Sequence, residues 1–383
     1  MAENNFTGLI PDIYEALDIT SRELVGMIPS VTMNASASRV EVGQNIRVDI
    51  EPEGTLVDIT PQMNTPEPAG QNSGYVDMKI DKSKASPFGF TGESQLGLNT
   101  GAGYANVRAG KIAQAIRKLT NAVELDLCGL QSSFSRAVGT AGNTPFGTAN
   151  DYTDASKALQ VLKDNGAPLQ DNQLVINTNA GVNMLGKQAN VADAGSDSIL
   201  RQGVLLDVNG MPIRESAQVN TVATVGTSVN AITTDGHAVG TTSIVLKGSG
   251  SGSILPGDVI TFAGDINQYV VKTGAVAVSG ATIVIAAPGL RQALPAGDKA
   301  ISITAASARN MAFNRNAIVL LARAPARPVE GDNAIDVLQV TDPRSGLSFE
   351  FAMYAGYRKI RYEVSLAWGV ANIKPEHTAL LLG

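Results

Sequence analysis

The longest pattern in the chain is a one-sided apolar stripe over residues 104–134. Its members recur at steps of mostly three and four, the spacing of one helix face. They are Tyr104, Val107, Ile112, Ile116, Leu119, Val123, Leu127, Leu130 and Phe134, and no proline interrupts them. At about 1.5 Å per residue such a helix would be roughly 45 Å long, whereas an average helix has about 11–12 residues. We therefore predict a structural spine helix.

Before the spine, the apolar pattern alternates with a period of two. In residues 46–50 and 76–80 apolar side chains alternate with charged ones, and prolines and glycines crowd the segment between them. This predicts a long two-stranded arm with an extended tip. A disordered linker is the alternative, and the clean alternation in both halves counts against it. Since a two-stranded arm is marginally stable in water, it needs a partner surface.

Residues 7–28 predict two short helices. Pro11 suits a first helical turn, and Thr20 and Glu23 have the spacing of a capping box. A helical pair of this size has too little core to fold alone, so we expect it to dock on its own chain or on a neighbour.

After the spine, residues 155–185 predict a compact α/β unit. Ala155, Ala158, Leu159 and Leu162 share a helical face, and the run 174–176 is a short buried strand. Either Asn177 or Asn179 is expected to cap the next helix, and the pair Asn209-Gly210 predicts a tight turn. The last two strands, over 347–353 and 360–368, are expected to pack against the spine.

The composition changes at about residue 217. Between residues 217 and 305 only eight of 89 positions are charged, about 9% against 17% for the chain. Short β-rich runs recur there at intervals of roughly 8–12 residues between turns, which is typical of a small barrel or sandwich. We predict an inserted β-barrel.

Charge and cysteine content narrow the classes of function. A net charge of −6 argues against a wholly basic nucleic-acid-binding face. The single Cys128 cannot form an internal disulfide and is expected to be a buried thiol. We find no signal peptide and no apolar run long enough to span a membrane. We therefore expect folding in the cytoplasm, where the sequons at Asn5 and Asn34 have no secretory context.

A search for catalytic chemistry gives weak candidates only. They are His237 and His377 as metal ligands, Gly101-Ala102-Gly103 as a dinucleotide fingerprint, Gly248–Gly252 as a phosphate loop, and Asp193 with Asp197 as an acidic pair. Each has a simpler interpretation as a turn, hinge or solvated loop. No nucleophile–base set is recognisable, so we predict no enzyme, no cofactor, no metal and no catalytic residue.

Several segments, taken in order, resemble a known family. They are Arg117–Leu125 in the spine, Leu162–Pro168 with Leu174–Asn177, Leu255–Gly264, and Trp368–Val370 with Lys374–Glu376. Together they resemble tailed-phage major capsid proteins of the HK97-like fold, and more closely the short-tailed-phage coat proteins that carry an inserted β-barrel. The insert is shorter here, which puts in doubt the contacts that the family makes through a long loop of that domain.

The resemblance implies an α+β fold with six parts. They are an N-terminal arm (1–34), an extended two-stranded arm (35–98), spine and peripheral domain (99–205), a central domain (206–217 and 306–330), the inserted barrel (218–305) and closing strands (331–383).

The same resemblance implies self-assembly of hexamers and pentamers into an icosahedral shell around double-stranded DNA. A scaffolding protein and a portal protein would be partners. The chain would be located in the virion after assembly in the host cytoplasm.

Two alternatives remain from the residues themselves. One is another β-rich virion component, such as a decoration or adhesion protein, and the long spine argues against it. The other is an enzyme whose site is unrecognised.

Overall fold

The computed structural model describes residues 25–50, 74–99, 103–149, 151–188, 205–219, 225–228, 230–234, 236–342 and 346–383. The predictions for residues 7–24, for the tip of the arm at 51–73, for Gly101-Ala102 and for Asp193 with Asp197 lie outside these ranges.

The described α-helices all lie in the first half of the chain, and the second half consists mainly of strands. The α-helices are α1 (Gly92–Asn99), α2 (Tyr104–Gly129), α3 (Thr153–Asp164) and α4 (Thr178–Lys187). The strands of the first half are β1 (Thr32–Val40), β2 (Asn45–Ile50), β3 (Gly74–Lys79), β4 (Lys82–Thr91), β5 (Arg136–Val138), β6 (Asn172–Ile176) and β7 (Ile213–Glu215). The next six are β8 (Ile232–Thr233), β9 (Ser243–Val245), β10 (Val259–Phe262), β11 (Gln268–Thr273), β12 (Thr282–Ile285) and β13 (Lys299–Ile303). The last six are β14 (Arg309–Asn314), β15 (Ile318–Pro325), β16 (Ala334–Thr341), β17 (Ser348–Gly356), β18 (Lys359–Asn372) and β19 (Thr378–Leu382).

The spine helix α2 carries the largest core. Its buried stripe includes Ile112, Ile116, Leu119, Val123 and Leu127, as the apolar spacing predicts. The α-helix ends at Gly129, about one turn earlier than the predicted end. A 3-10 turn over Leu130–Ser133 follows, and the chain then becomes extended so that Phe134 packs edge-on against Phe313. At 26 residues α2 is about 39 Å long.

One sheet lies beneath the spine. Its long strand β18 pairs with β4, β15 and β17, while β16 and the parallel strand β1 extend the sheet. The alternation at 360–368 places Tyr362, Val364, Leu366 and Trp368 in the same core as the α2 stripe. The prediction that the closing strands pack against the spine is confirmed.

A second sheet is buried on both faces. In its central strands β6, β14 and β19, one set of side chains, including Val175 and Phe313, joins the spine core. The alternate set, including Leu174 and Ile176, packs against α3 and α4. Because both faces of the sheet are covered, β6 has the short apolar run 174–176 and lacks the polar–apolar alternation of a half-exposed strand.

The helices α3 and α4 pack on the face of this second sheet that is turned away from the spine core. The sheet itself depends on the pairing of β6 with β14 and β7, which no local pattern specifies. The predicted grouping of residues 99–205 as one unit with the spine stays a prediction.

The low-charge segment forms a ring of short strands. Hydrogen bonding runs β8–β13–β10–β11–β12–β9, and a bridge between Thr233 and Leu246 joins its two ends. The ring encloses its own apolar cluster. It joins the second sheet where β11 pairs with β5. The predicted α+β fold class is confirmed, while the boundaries 218–305 of a separate domain stay a prediction.

Candidate functional site

The buried carboxylate of Glu124 holds the first described residues of the chain. Its Oε1 accepts hydrogen bonds from the backbone N–H groups of Gly26 at 2.8 Å and Met27 at 2.7 Å, and its Oε2 accepts one from Ile28 at 3.0 Å. The Ser216 hydroxyl donates to Oε1 at 2.7 Å. One side chain of the spine thus fixes three consecutive backbone groups of the N-terminal segment. We call this arrangement the Glu124 clamp.

Packing around the clamp is tight. A Cβ atom at position 26 would lie 2.6 Å from the carbonyl oxygen of Glu215, so only glycine fits there. Met27 and Ile28 are buried in the spine core. Burial raises the pKa of Glu124, although the donated hydrogen bonds oppose the shift. The N-terminal segment is therefore anchored by its backbone and by two apolar side chains.

A second acid of the spine joins it to the sheet. The Asp126 carboxylate accepts a hydrogen bond from the indole Nε1–H group of Trp368 at 2.7 Å. Its other oxygen forms an ion pair with the Lys82 ammonium group at 2.5 Å. Because Trp368 lies on β18 and Lys82 on β4, this contact fixes the register of the helix on two strands.

The two-stranded arm is present as predicted. β2 and β3 pair antiparallel with Ile46 opposite Met78 and Val48 opposite Val76, so the apolar residues share one face. That face packs on a small cluster with Val319 and Leu321. The opposite face is exposed. There, Arg47 stacks on the Tyr75 ring, 3.6 Å from its centroid.

The root of the arm is in close contact with β18. At Gly369, a Cβ atom would lie 2.1 Å from the carbonyl oxygen of Lys79. Ile80, the residue after β3, is fully buried. The arm is thus fixed at its root, next to the last residues of β3.

The two histidines and the cysteine lie on different elements of the fold. His237 forms a backbone bridge with Leu294 in the ring, whereas His377 lies in a 3-10 turn before β19, where burial lowers its pKa. Cys128 is buried on the spine, and burial raises its pKa to about 12. Gly103 precedes the first turn of α2 and has a φ of 87°, and its role as a hinge stays a prediction.

The turn and cap predictions can also be placed. Gly248–Gly252 follows β9 within the ring. Asn177 caps α4 by accepting a hydrogen bond from the Ala180 N–H group. Asn209 and Gly210 both have positive φ in a turn that Val208 and Met211 close. Asn34 lies on β1.

Among the residues that the structure describes, no three His, Cys, Asp or Glu side chains come together as a metal site. In the same part of the chain, no helix has the length and apolar character needed to cross a membrane.

Sequence reasoning missed the Glu124 clamp. The available signal was an acid that follows Val123 directly and lies one turn before Leu127 and Cys128 on the spine. An acid at such a position is expected to be paired or hydrogen-bonded when buried. Its partners are about 97 residues away in the chain, so the sequence alone did not identify them.

Comparison with known proteins gives structural similarity only. Neither protein-family profiles nor curated sequences give a match. The fold is similar to the capsid asymmetric unit of cyanophage A-1(L), with 10% identity, a TM-score of 0.49, and coverage of 94% of this chain and 93% of that one. It is also similar to the capsid of cyanophage P-SCSP1u, with 12% identity, a TM-score of 0.45, and coverage of 92% and 86%. A third similar structure is the bacteriophage PhiM1 mature capsid, with 11% identity, a TM-score of 0.44, and coverage of 92% and 85%.

All three are phage capsid structures, which is the class that the sequence resemblance names.

Proposed function

We propose that this chain is the major capsid protein of a tailed bacteriophage and that it assembles with copies of itself into an icosahedral shell around double-stranded DNA. The observation that carries the proposal is the arm, whose two strands are fixed at the root by Ile80 and Gly369, pack with one face on Val319 and Leu321, and leave the other face exposed. Such an extension gains stability from a neighbouring surface. A repeating lattice of identical subunits supplies that surface at every position.

The contacts within the subunit suggest a role for each of its parts. The spine and the two sheets form one continuous core, which suits a rigid tile. The Glu124 clamp holds residues 26–28 on that tile, so that the preceding N-terminal arm starts from a fixed point. The ring of residues 218–305, attached through β5 and β11, would be the inserted domain.

The remaining parts of the proposal come from the family that the sequence resembles. A scaffolding protein would direct assembly in the host cytoplasm, a portal protein would occupy one vertex, and the mature chain would reside in the virion. We propose no catalytic role, cofactor or metal. A decoration or adhesion module would not require a spine of 26 residues with sheets packed against it.

The proposal is tested by light scattering and negative-stain imaging of the purified full chain, with and without a co-expressed scaffolding protein. Shells or capsomers of uniform size are expected. A protein that stays monomeric under all these conditions would refute it.

A further inference from the structure

A buried carboxylate lies where the ring is attached to the second sheet. Asp258 directly precedes β10 and is 1% exposed. Its Oδ2 atom accepts hydrogen bonds from the backbone N–H groups of Leu255 at 2.7 Å and Gly226 at 2.9 Å. Gly226 belongs to the connection that leads from β7 into the ring, and a Cβ atom there would lie 2.3 Å from the carbonyl oxygen of Ser253. Asp258 thus holds the incoming connection at a point where only glycine fits.

The outgoing connection passes the same acid. The Thr304 N–H group, just after β13, donates to the carbonyl oxygen of Val259 at 2.8 Å, so the chain leaves the ring beside Asp258. Arg309 then begins β14 of the second sheet and is also 1% exposed. Burial raises the pKa of Asp258 and lowers that of Arg309, and the charge of each group opposes the shift of the other. Both connections of the ring therefore meet at one pair of opposite charges.

This buried pair has polar atoms that are still to be satisfied. Among the described residues, the guanidinium nitrogens of Arg309, the Oδ1 atom of Asp258 and the hydroxyl of Ser307 are buried and have no hydrogen-bond partner. A buried charge is strongly unfavourable unless it is both paired and hydrogen-bonded. An anion between the two groups would face the carboxylate, and a cation would face the guanidinium. Water is neutral, donates as well as accepts, and typically satisfies buried groups of this kind.

We propose that ordered water joins Asp258 to Arg309, and that this buried bridge fastens both connections of the ring to the second sheet. The bridge goes beyond the proposed function, since it holds within a single subunit whether or not the chain assembles.

A second polar joint lies on the other face of the same sheet. Arg309 is on the side of β14 that carries Met311 and Phe313 into the spine core, whereas Arg136 is on the opposite side of β5 from Ala137, which belongs to that core. Arg136 donates to Asn267 of the ring at 3.0 Å and to Asn165, after the end of α3, at 3.2 Å. The ring is thus held from both faces of the sheet and does not swing about the β5–β11 pairing.

A double-mutant cycle on the full-length chain tests the pairing. Asp258→Asn keeps an oxygen that can accept from Gly226 and Leu255 but leaves Arg309 without its opposite charge, and Arg309→Met leaves the acid alone. Each single variant should lose roughly 100-fold in hydrogen-exchange protection of peptides covering residues 253–259 and 304–311. The double variant should return to within about tenfold of the wild type, because no unpaired charge stays buried. Losses that add in the double variant would overturn the pairing.

An exposed ion pair in the same ring supplies the matched control. Lys247 and Asp298 lie 2.7 Å apart, and about half of each side chain is exposed. Lys247→Met with Asp298→Asn removes the same two charges from the ring and should change the protection of those peptides by less than about fivefold. A loss as large as that of the single variants would show that the effect is not specific to the buried pair.

Protection inside the ring distinguishes a joint from a residue that the ring needs for its own folding. The buried residues Ile283 and Ile285 of β12 belong to the ring's own apolar cluster. In both single variants a peptide covering β12 should keep its protection within about fivefold of the wild type. Equal losses in β12 and at the base of the ring would overturn the fastening role.

If a variant does not fold, a wild-type structure at a resolution that shows ordered water decides the question. Water within hydrogen-bond distance of both the Arg309 guanidinium and the Oδ1 atom of Asp258 is expected. Direct contact between the two side chains without water, or a guanidinium turned to another acceptor, would overturn the bridge.

Discussion

Replacing Glu124 with alanine is expected to release the N-terminal segment from the spine. The substitution removes the acceptor of three backbone N–H groups and of the Ser216 hydroxyl, all at 2.7–3.0 Å and all buried. Each buried donor left unpaired costs about 1–3 kcal/mol. Relief of the buried charge and local rearrangement offset part of this sum. We expect a loss of about 3 kcal/mol in the free energy of unfolding.

Glutamine at the same position is the matched control. The Oε1 atom of Glu124 serves three of the four donors, and only Ile28 donates to Oε2. In Glu124→Gln the amide oxygen can keep those three hydrogen bonds, while the amide NH₂ group faces the Ile28 N–H. Since a neutral amide also avoids the cost of burying a charge, this variant should stay within about 1 kcal/mol of the wild type.

Hydrogen–deuterium exchange and denaturant unfolding measure these effects. The single tryptophan, Trp368, is buried and donates a hydrogen bond to Asp126, which lies two positions after Glu124 on the spine. Its fluorescence therefore reports unfolding of the spine core. In Glu124→Ala, protection of a peptide covering residues 25–31 should fall about 100-fold, which corresponds to about 3 kcal/mol. Wild-type protection and an unchanged unfolding midpoint in this variant would refute the clamp.

Three further predictions follow from the same structure. Burial raises the pKa of Glu124 in the folded state above its ordinary value of 4.5. The free energy of unfolding of the wild type should therefore fall, relative to that of Glu124→Gln, as the pH rises from 4.5 through the folded-state pKa. Equal pH profiles of the two proteins in denaturant unfolding would contradict this. Val123→Asp places a charge at a fully buried position of the spine and should prevent folding, as judged by circular dichroism and solubility; soluble, assembling protein would show that the buried face is assigned wrongly. Residues 218–305 expressed alone should melt cooperatively as a β domain, because the ring has its own apolar cluster; a random-coil spectrum would refute its independence.

Local patterns predicted the elements well. The three- and four-residue spacing located the spine, and the period-two alternation located the two strands of the arm. The end of the spine was placed too late. Phe134 continues the helical spacing, yet it is buried from an extended segment after a 3-10 turn. Spacing alone does not distinguish these two ways of burying one aromatic ring.

The local sequence patterns did not predict which strands pair across long distances in the chain. β1 pairs in parallel with β15, and β19 pairs in parallel with β5, in each case across more than two hundred residues. The grouping of α3 and α4 with the second sheet depends on such pairings. The clamp was missed for the same reason, since its donors are backbone N–H groups that any residue type carries.

The most direct test of the central claim is electron microscopy of particles formed by the full-length protein. The proposal predicts a closed icosahedral shell in which the spine and sheets repeat as a tile and each arm crosses onto an adjacent subunit. Protein that remains dispersed as monomers, or particles in which every arm folds back on its own subunit, would contradict it.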